Sequence, residues 1–114
     1  MKNCLFCKVV NKEISVDMVF SNKSVLSFRD INPIAPNHVL IIPKIHISTL
    51  NDIRIDHINI LGEMMLAAKE VAASEGLSDE GYRTIFNCNK NAGQTVFHIH
   101  LHLIGGRRLS WPPG

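Results

Sequence analysis

Charge of one sign is the first thing the chain lacks. Twelve Lys and Arg stand against ten Asp and Glu, a formal net charge of +2. There is no basic block, so nothing in it is built to track a nucleic acid or an anionic membrane surface. Long apolar runs are also missing. No stretch approaches the roughly 18 apolar residues of a membrane span, and the start, Met1-Lys2-Asn3-Cys4-Leu5-Phe6-Cys7, lacks the apolar core of a secretory signal. The expectation is a soluble, cytoplasmic protein with neither nucleic acid nor membrane as partner. Cysteine is scarce and odd in number, three in all, which argues against a disulfide framework. No internal repeat, low-complexity run or linker is present, and 114 residues suit one domain over 1–114.

What the chain does have is histidine in one place. Residues 97–107 read FHIHLHLIGGR. Successive side chains on a strand point to opposite faces. A strand here sends Ile99, Leu101 and Leu103 into a core and sets His98, His100 and His102 in a row on the other face, neighbours about 6.5–7 Å apart. A helix would scatter them. Neutral imidazole offers one donor and one acceptor, titrates near neutral pH, and serves as base, acid, ligand or nucleophile. Gly105 and Gly106 end the strand where backbone comes close to something else.

The rest of the chain supplies a setting. Cys4-Leu5-Phe6-Cys7 is a CxxC, by itself half a zinc site, a redox pair or two buried thiols; it opens a short amphipathic helix to about residue 11. Strands over 18–22 and 24–30 turn at Ser21-Asn22-Lys23. In the second, Phe28 and Asp30 face one way, an aromatic beside an acid as a nucleoside pocket needs, although a core ring and a solvated acid look the same. Residues 30–37, DINPIAPN, form a loop stiffened by Pro33 and Pro36. Residues 38–43, HVLIIP, are nearly all apolar and read as a central strand with a histidine at its mouth. A helix over 56–74 carries Ile58, Leu61, Met65, Ala68 and Ala72 as one stripe, with Asp52 or Asp56 as N-cap and Gly76 as its stop. Residues 82–88 are the next strand. The polar turn NKNAGQ then leads through Thr95 to the histidines, so Asn87, Gln94 and Thr95 lie beside His100 and His102, amides and a hydroxyl that suit a phosphate. The tail RRLSWPPG is too apolar and stiff to be idle. Together these elements make the fold class α+β: an antiparallel sheet with one long and one short helix on one face.

These segments resemble the histidine triad (HIT) family, and within it the Hint branch of nucleotide-binding hydrolases. The resemblance runs end to end, on FRDINPIAPNHVLIIPKIHIS, on GYRTIFNCNKNAGQTVFHIHLHLIGGR and on the terminal WPPG. The family signature, His-φ-His-φ-His-φ-φ with φ apolar, is met from His98 to Ile104. The resemblance implies a HIT-like fold whose sheet extends across a homodimer. It implies His100 as nucleophile, His102 near the phosphate and leaving group, and His38 as a fourth active-site histidine. It implies Asp30 on the ribose, with Leu5, Phe6, Val9, Phe28 and Ile31 around the base. Asn87, Gly93, Gln94 and Thr95 would hold the phosphate, and Trp111 would approach the partner subunit's site. Thr95, where relatives often carry Ser, keeps the hydroxyl. Some members carry zinc on a CxxC and two histidines, which implies a structural zinc on Cys4, Cys7, His46 and His98, with no catalytic metal required.

The implied activity is hydrolysis of nucleoside phosphoramidates, AMP or GMP joined to an amine, through a nucleotidyl-histidine intermediate. Three other readings stand beside it. One is a metallohydrolase holding a catalytic zinc on His98, His100 and another histidine. The second is a non-catalytic nucleotide-binding or interaction module. The third, within the class, is the dinucleotide polyphosphate hydrolysis of the Fhit branch, against which the WPPG ending speaks. The physiological substrate, and the choice between adenine and guanine, are not legible in the sequence.

Overall fold

The structure, a computed structural model, describes residues 3–114. The part of the secretory-signal reading that falls on Met1 and Lys2 lies outside the described residues. A short helix, α1 (Leu5–Val10), comes first, followed by strands β1 (Met18–Ser21), β2 (Val25–Arg29) and β3 (Asn37–Pro43). A long helix, α2 (Ile58–Ser74), then leads to β4 (Tyr82–Phe86) and β5 (Leu101–Gly105). The strands pair antiparallel in the order β1-β2-β3-β5-β4, which puts apolar β3 in the middle and leaves β1 and β4 at the edges. The expected strands over 18–22, 24–30, 38–43 and 82–88 are present, with ends moved by one or two residues. Among the described residues, no helix is long and apolar enough to cross a membrane.

The sheet separates two cores. Val25, Val39, Ile41, Leu101 and Leu103 point to one side, where Met64, Ala67, Ala68, Val71 and Ala72 of α2 cover them. Leu26, Phe28, Leu40 and Ile42 point to the other, where Cys4, Phe6, Cys7 and Val9 pack on them. The two helices therefore lie on opposite faces, a correction to the one-faced arrangement expected. β2 and β3 are apolar on both sides, and each large side chain left in water would cost roughly 1.5–3 kcal/mol. A six-residue helix covers that second face only in part, and what it leaves uncovered is the cleft described below.

α2 departs from expectation at its start. It begins at Ile58, after a 3₁₀ turn (Ile55–His57) in which Asp56 pairs with Arg54 in solvent and caps nothing. Asp52 instead closes a capping box with Thr49 on an earlier 3₁₀ turn, Leu50–Asp52. The buried stripe is also shifted: Ile58 and Met65 are exposed, and Met64, Ala67 and Val71 join Ala68 and Ala72 against the sheet. That stripe is rich in alanine, which lets helix and sheet approach closely. The stop is as expected. Gly76 has φ +75°, its N–H donates to the Ala73 carbonyl, and the Leu77 N–H donates to that of Ala72, the paired bonds of a Schellman ending.

β5 is shorter than the histidine strand expected. Its ladder begins at Leu101, and a bend at residues 96–98 precedes it. The Ile99 N–H donates not to a ladder partner but to the Ile47 carbonyl, at 2.7 Å. The alternation survives, since Ile99, Leu101 and Leu103 all sit in the α2-side core. The bend turns His98 toward Cys4 and Cys7. At the far end of β5, Gly106 has φ +92°, and a Cβ there would stand 2.9 Å from Cβ of Pro36, the close approach expected of that glycine.

Candidate active site

On the α1 face a cleft of about 1110 Å³ opens between α1, the segment after β2 and the segment before β5. Its floor is one cross-strand row: Phe28 pairs with Leu40, Leu40 with His102, and His102 with Ile85. Of the residues expected around a nucleotide, Leu5, Phe6, Val9, Phe28, Asp30, Ile31, Asn87, Gly93 and Thr95 line it, together with His38, His100 and His102. Two do not. Gln94 is buried behind the wall, where its amide donates to the Ser48 and Val96 carbonyls and accepts from the Asn89 N–H, so it staples the loop from within. Trp111 lies outside, 80% exposed, with the Arg83 guanidinium 5.9 Å from its ring centroid and Arg83 Nη2 donating to the Ser110 carbonyl at 2.9 Å. Sequence reasoning missed Ile14, Val16, Leu40, Ile85 and Val96 in the lining. Leu40 and Ile85 share strand parity with His38 and Asn87 and were findable. Ile14 and Val16 sit in a stretch with no usable period.

Hydrogen bonds assign the protons on the histidines. His100 Nδ1 lies 2.8 Å from the His98 carbonyl. A carbonyl only accepts, so Nδ1 carries the proton and Nε2 keeps its lone pair. Burial holds the His100 pKa below the ordinary imidazole value, so the lone pair is present at neutral pH. His38 Nδ1 accepts the Ile34 N–H at 3.2 Å. Its Nε2 therefore carries the proton, 2.9 Å from His102 Nδ1 and 3.4 Å from Asp30 Oδ2. His102, accepting on Nδ1, is left with Nε2–H as its free donor. Burial, then the neighbouring His100 and His38, pushes His102 down to about 4. Burial also lowers His38, against the opposing pull of Asp30. The rings of His100 and His102 stand 5.1 Å apart, so an imidazole with a free lone pair and one with a free N–H lie side by side in the cleft lining. Asp30 is fixed by a turn of its own, Oδ1 accepting the Asn32 N–H at 2.8 Å.

A second cluster lies beside Phe6, whose ring meets that of His98 at 6.0 Å. One donor atom each from Cys4, Cys7, His46 and His98 falls within 4.8 Å of the others. Cys4 Sγ is 3.3 Å and Cys7 Sγ 3.6 Å from His98 Nδ1, and Cys7 Sγ is 3.4 Å from His46 Nδ1. Tetrahedral zinc with Zn–S near 2.3 Å and Zn–N near 2.0–2.1 Å sets sulfur and nitrogen about 3.5 Å apart, so the donors already have the spacing such an ion needs. The far nitrogens are engaged as outer partners to a ligand should be: His98 Nε2 donates to the Pro43 carbonyl at 2.8 Å, and His46 Nε2 is 3.0 Å from Ser48 Oγ. Burial raises the Cys7 thiol and lowers His98 to about 4.

Among the described residues, no group of three or more possible metal ligands contains both His98 and His100. Among the described residues, the other group close enough for an ion is Asp30, His38 and His102. A metal on His38 Nε2 would move that proton to Nδ1, against the Ile34 N–H.

A HIT domain matches residues 11–109. The chain is 48% identical over 105 residues to the purine nucleoside phosphoramidase of Escherichia coli, covering 92% of this chain and 88% of that one. It is 48% identical over 112 residues to a 14 kDa zinc-binding protein of Zea mays, covering 96% and 87%. The crystal structure of a HIT family hydrolase from Legionella pneumophila superposes with a TM-score of 0.97 at 54% identity, covering 98% of this chain and all of that one. With the domain match spanning most of its length and relatives of this identity, the chain belongs to the HIT family, in its Hint-like branch.

Proposed function

We propose that this HIT hydrolase cleaves the P–N bond of purine nucleoside phosphoramidates, releasing an amine and AMP or GMP, by way of a nucleotide held covalently on His100. The observation that carries the reading is the His100 tautomer: Nδ1–H is tied to the His98 carbonyl, so Nε2 is the free nucleophile in the cleft wall. The base would lie among Leu5, Phe6, Val9, Phe28 and Ile31, the ribose at Asp30, and the phosphate beside Asn87, Gly93 and the Thr95 hydroxyl. The phosphoramidase named among the relatives is consistent with this substrate class.

In the first step His100 Nε2 attacks the α-phosphorus, the P–N bond breaks, and the amine departs. That cleavage takes up one proton. His102 is neutral, and giving up its single N–H would leave an imidazolate, so the proton travels on the substrate nitrogen while His102 Nε2–H donates a hydrogen bond to the charge that develops. Water then attacks the same phosphorus, the P–Nε2 bond breaks, a proton goes to solvent, and neutral His100 returns. No step calls on a metal.

Zinc on Cys4, Cys7, His46 and His98 is a structural proposal, supported by the donor spacing and by the zinc-binding relative; with four protein ligands it keeps no open position for chemistry. Two copies of this single HIT-like domain, 1–114, would join through the open edge of β4, on which Tyr82 is exposed. Trp111 would then reach the second copy's cleft. The setting we propose is the cytoplasm.

The test is hydrolysis of adenosine 5'-phosphoramidate. Wild-type protein should release AMP, and His100→Ala should bind AMP yet release none. Turnover by His100→Ala at near wild-type rate would remove His100 as nucleophile, and nucleotide binding without wild-type turnover would leave a binding module.

A further inference from the structure

The Arg107 side chain leaves the end of β5 and crosses to the loop between β2 and β3. Its Nε and Nη2 donate to the Ile34 carbonyl at 3.3 and 3.0 Å, and its Nη1 donates to the Arg108 carbonyl at 3.0 Å. Ile34 is the residue whose N–H donates to His38 Nδ1. Ile34 lines the cleft, and its backbone has a second task, gripped by the guanidinium through C=O and presented to an imidazole through N–H. From there the bonds run on, His38 Nε2–H to His102 Nδ1 at 2.9 Å, which fixes His102 Nε2–H as the donor facing the cleft. Each link restricts the next, because a nitrogen that accepts cannot also carry a proton.

We propose that Arg107 is a positioning residue for the reaction: by holding the Ile34 backbone it locks His38, and through His38 it keeps His102 in its donor tautomer. The residue touches neither the histidines nor the cleft. A guanidinium suits the task because two of its N–H groups meet one carbonyl in a fixed plane, which a lysine ammonium does not reproduce. The alternative order, His102 with Nδ1–H and a bare Nε2, would set a lone pair against an anionic phosphoryl group. The proposal rests on the hydrolase reading for its consequence, but the proton order can be read without any substrate.

Two measurements on Arg107→Met, with Arg107→Lys beside it, test this. Nitrogen-15 spectra of the imidazoles in the free protein should show His38 and His102 as Nε2–H in the wild type. They should show a growing Nδ1–H fraction at His102 in Arg107→Lys and more in Arg107→Met. With adenosine 5'-phosphoramidate, Arg107→Met should lower kcat about tenfold, the rate equivalent of one lost hydrogen bond, with KM within about twofold. In a His38→Ala background the same change should cost less than about twofold, since Arg107 acts only through His38. Unchanged tautomers in Arg107→Met, or an equal tenfold loss with and without His38, would overturn the proposal. Should the wild type hydrolyse no phosphoramidate, the functional reading fails, and the spectra alone still decide the role of Arg107.

Discussion

Phe6 stands edge-on to His100, ring centroids 5.0 Å apart and planes at 87°. The same ring meets Phe28 at 5.6 Å and His98 at 6.0 Å, each also edge-on. One side chain on a six-residue helix thus touches a histidine of the cysteine–histidine cluster and His100 alike, and it forms part of the cleft wall. An isolated helix of that length does not hold itself together, so whatever anchors Cys4 and Cys7 also sets the shape of the cleft.

If the proposed zinc is bound, removing it should therefore act on binding before chemistry. Chelator-treated protein, or Cys7→Ser, should melt at a lower temperature and bind AMP several-fold more weakly, while kcat at saturating substrate changes little. Metal analysis of freshly purified protein should find about one zinc per chain. A protein without zinc, with both thiols freely titratable, would contradict this, and loss of kcat alone on chelation would favour the metallohydrolase.

Buried histidines give stability a pH dependence, and His38 and His102 contribute to it together with His46, His98 and His100. His102 is held at about 4 and His38 below its ordinary value, both first by burial. Above pH about 6.5 both folded and unfolded chains carry these rings neutral. Below it the unfolded chain takes up protons that the native pair refuses, so stability is full above pH 6.5 and falls as the pH drops toward 4. Urea midpoints at pH 7.5 and 5 should differ, and by less in His102→Gln. Equal differences in the two proteins would show that the pair does not contribute to the slope.

Gly106→Ala should destabilise the protein by about 1–3 kcal/mol. Its φ of +92° suits glycine, and the added methyl would meet Cβ of Pro36 at 2.9 Å, backbone-anchored on both sides. Gly62→Ala on α2, where nothing lies within 4 Å of the new carbon, should instead raise stability by up to about 1 kcal/mol. Thermal unfolding of the two variants checks both signs.

Deleting residues 109–114 removes Trp111 together with its seat on Arg83. On the proposed placement, discrimination among amine leaving groups should shift while AMP affinity and the proposed dimer persist, because the proposed base, ribose and sheet-edge contacts lie elsewhere. An unchanged leaving-group profile would place the tail outside the reaction.

Much of this was legible because strand alternation carries information two residues at a time. The parity of Ile99, Leu101 and Leu103 against His98, His100 and His102 survives even where the ladder does not reach. The motif likeness named residues that the cleft then brought together, Asp30 with His38 and His102 above all. What escaped were features set by backbone groups and by competition between faces. Gln94 looked like a phosphate ligand, but three bonds to main-chain groups hold it behind the wall. The α2 stripe was right at Ala68 and Ala72 but wrong at Ile58 and Met65, where the sheet took Met64, Ala67 and Val71 instead. Nothing in the letters of Ile34 announces that its amide sets the proton on His38.

The central claim is the covalent step on His100, and it is met most directly by mixing excess protein with adenosine 5'-phosphoramidate, quenching within the first turnover, and weighing the intact chain. The expected result is an added mass of one adenylyl group, mapped to His100 and gone in His100→Ala. AMP released at the wild-type rate with no protein-bound nucleotide at any time, or with the adduct on another residue, would contradict it.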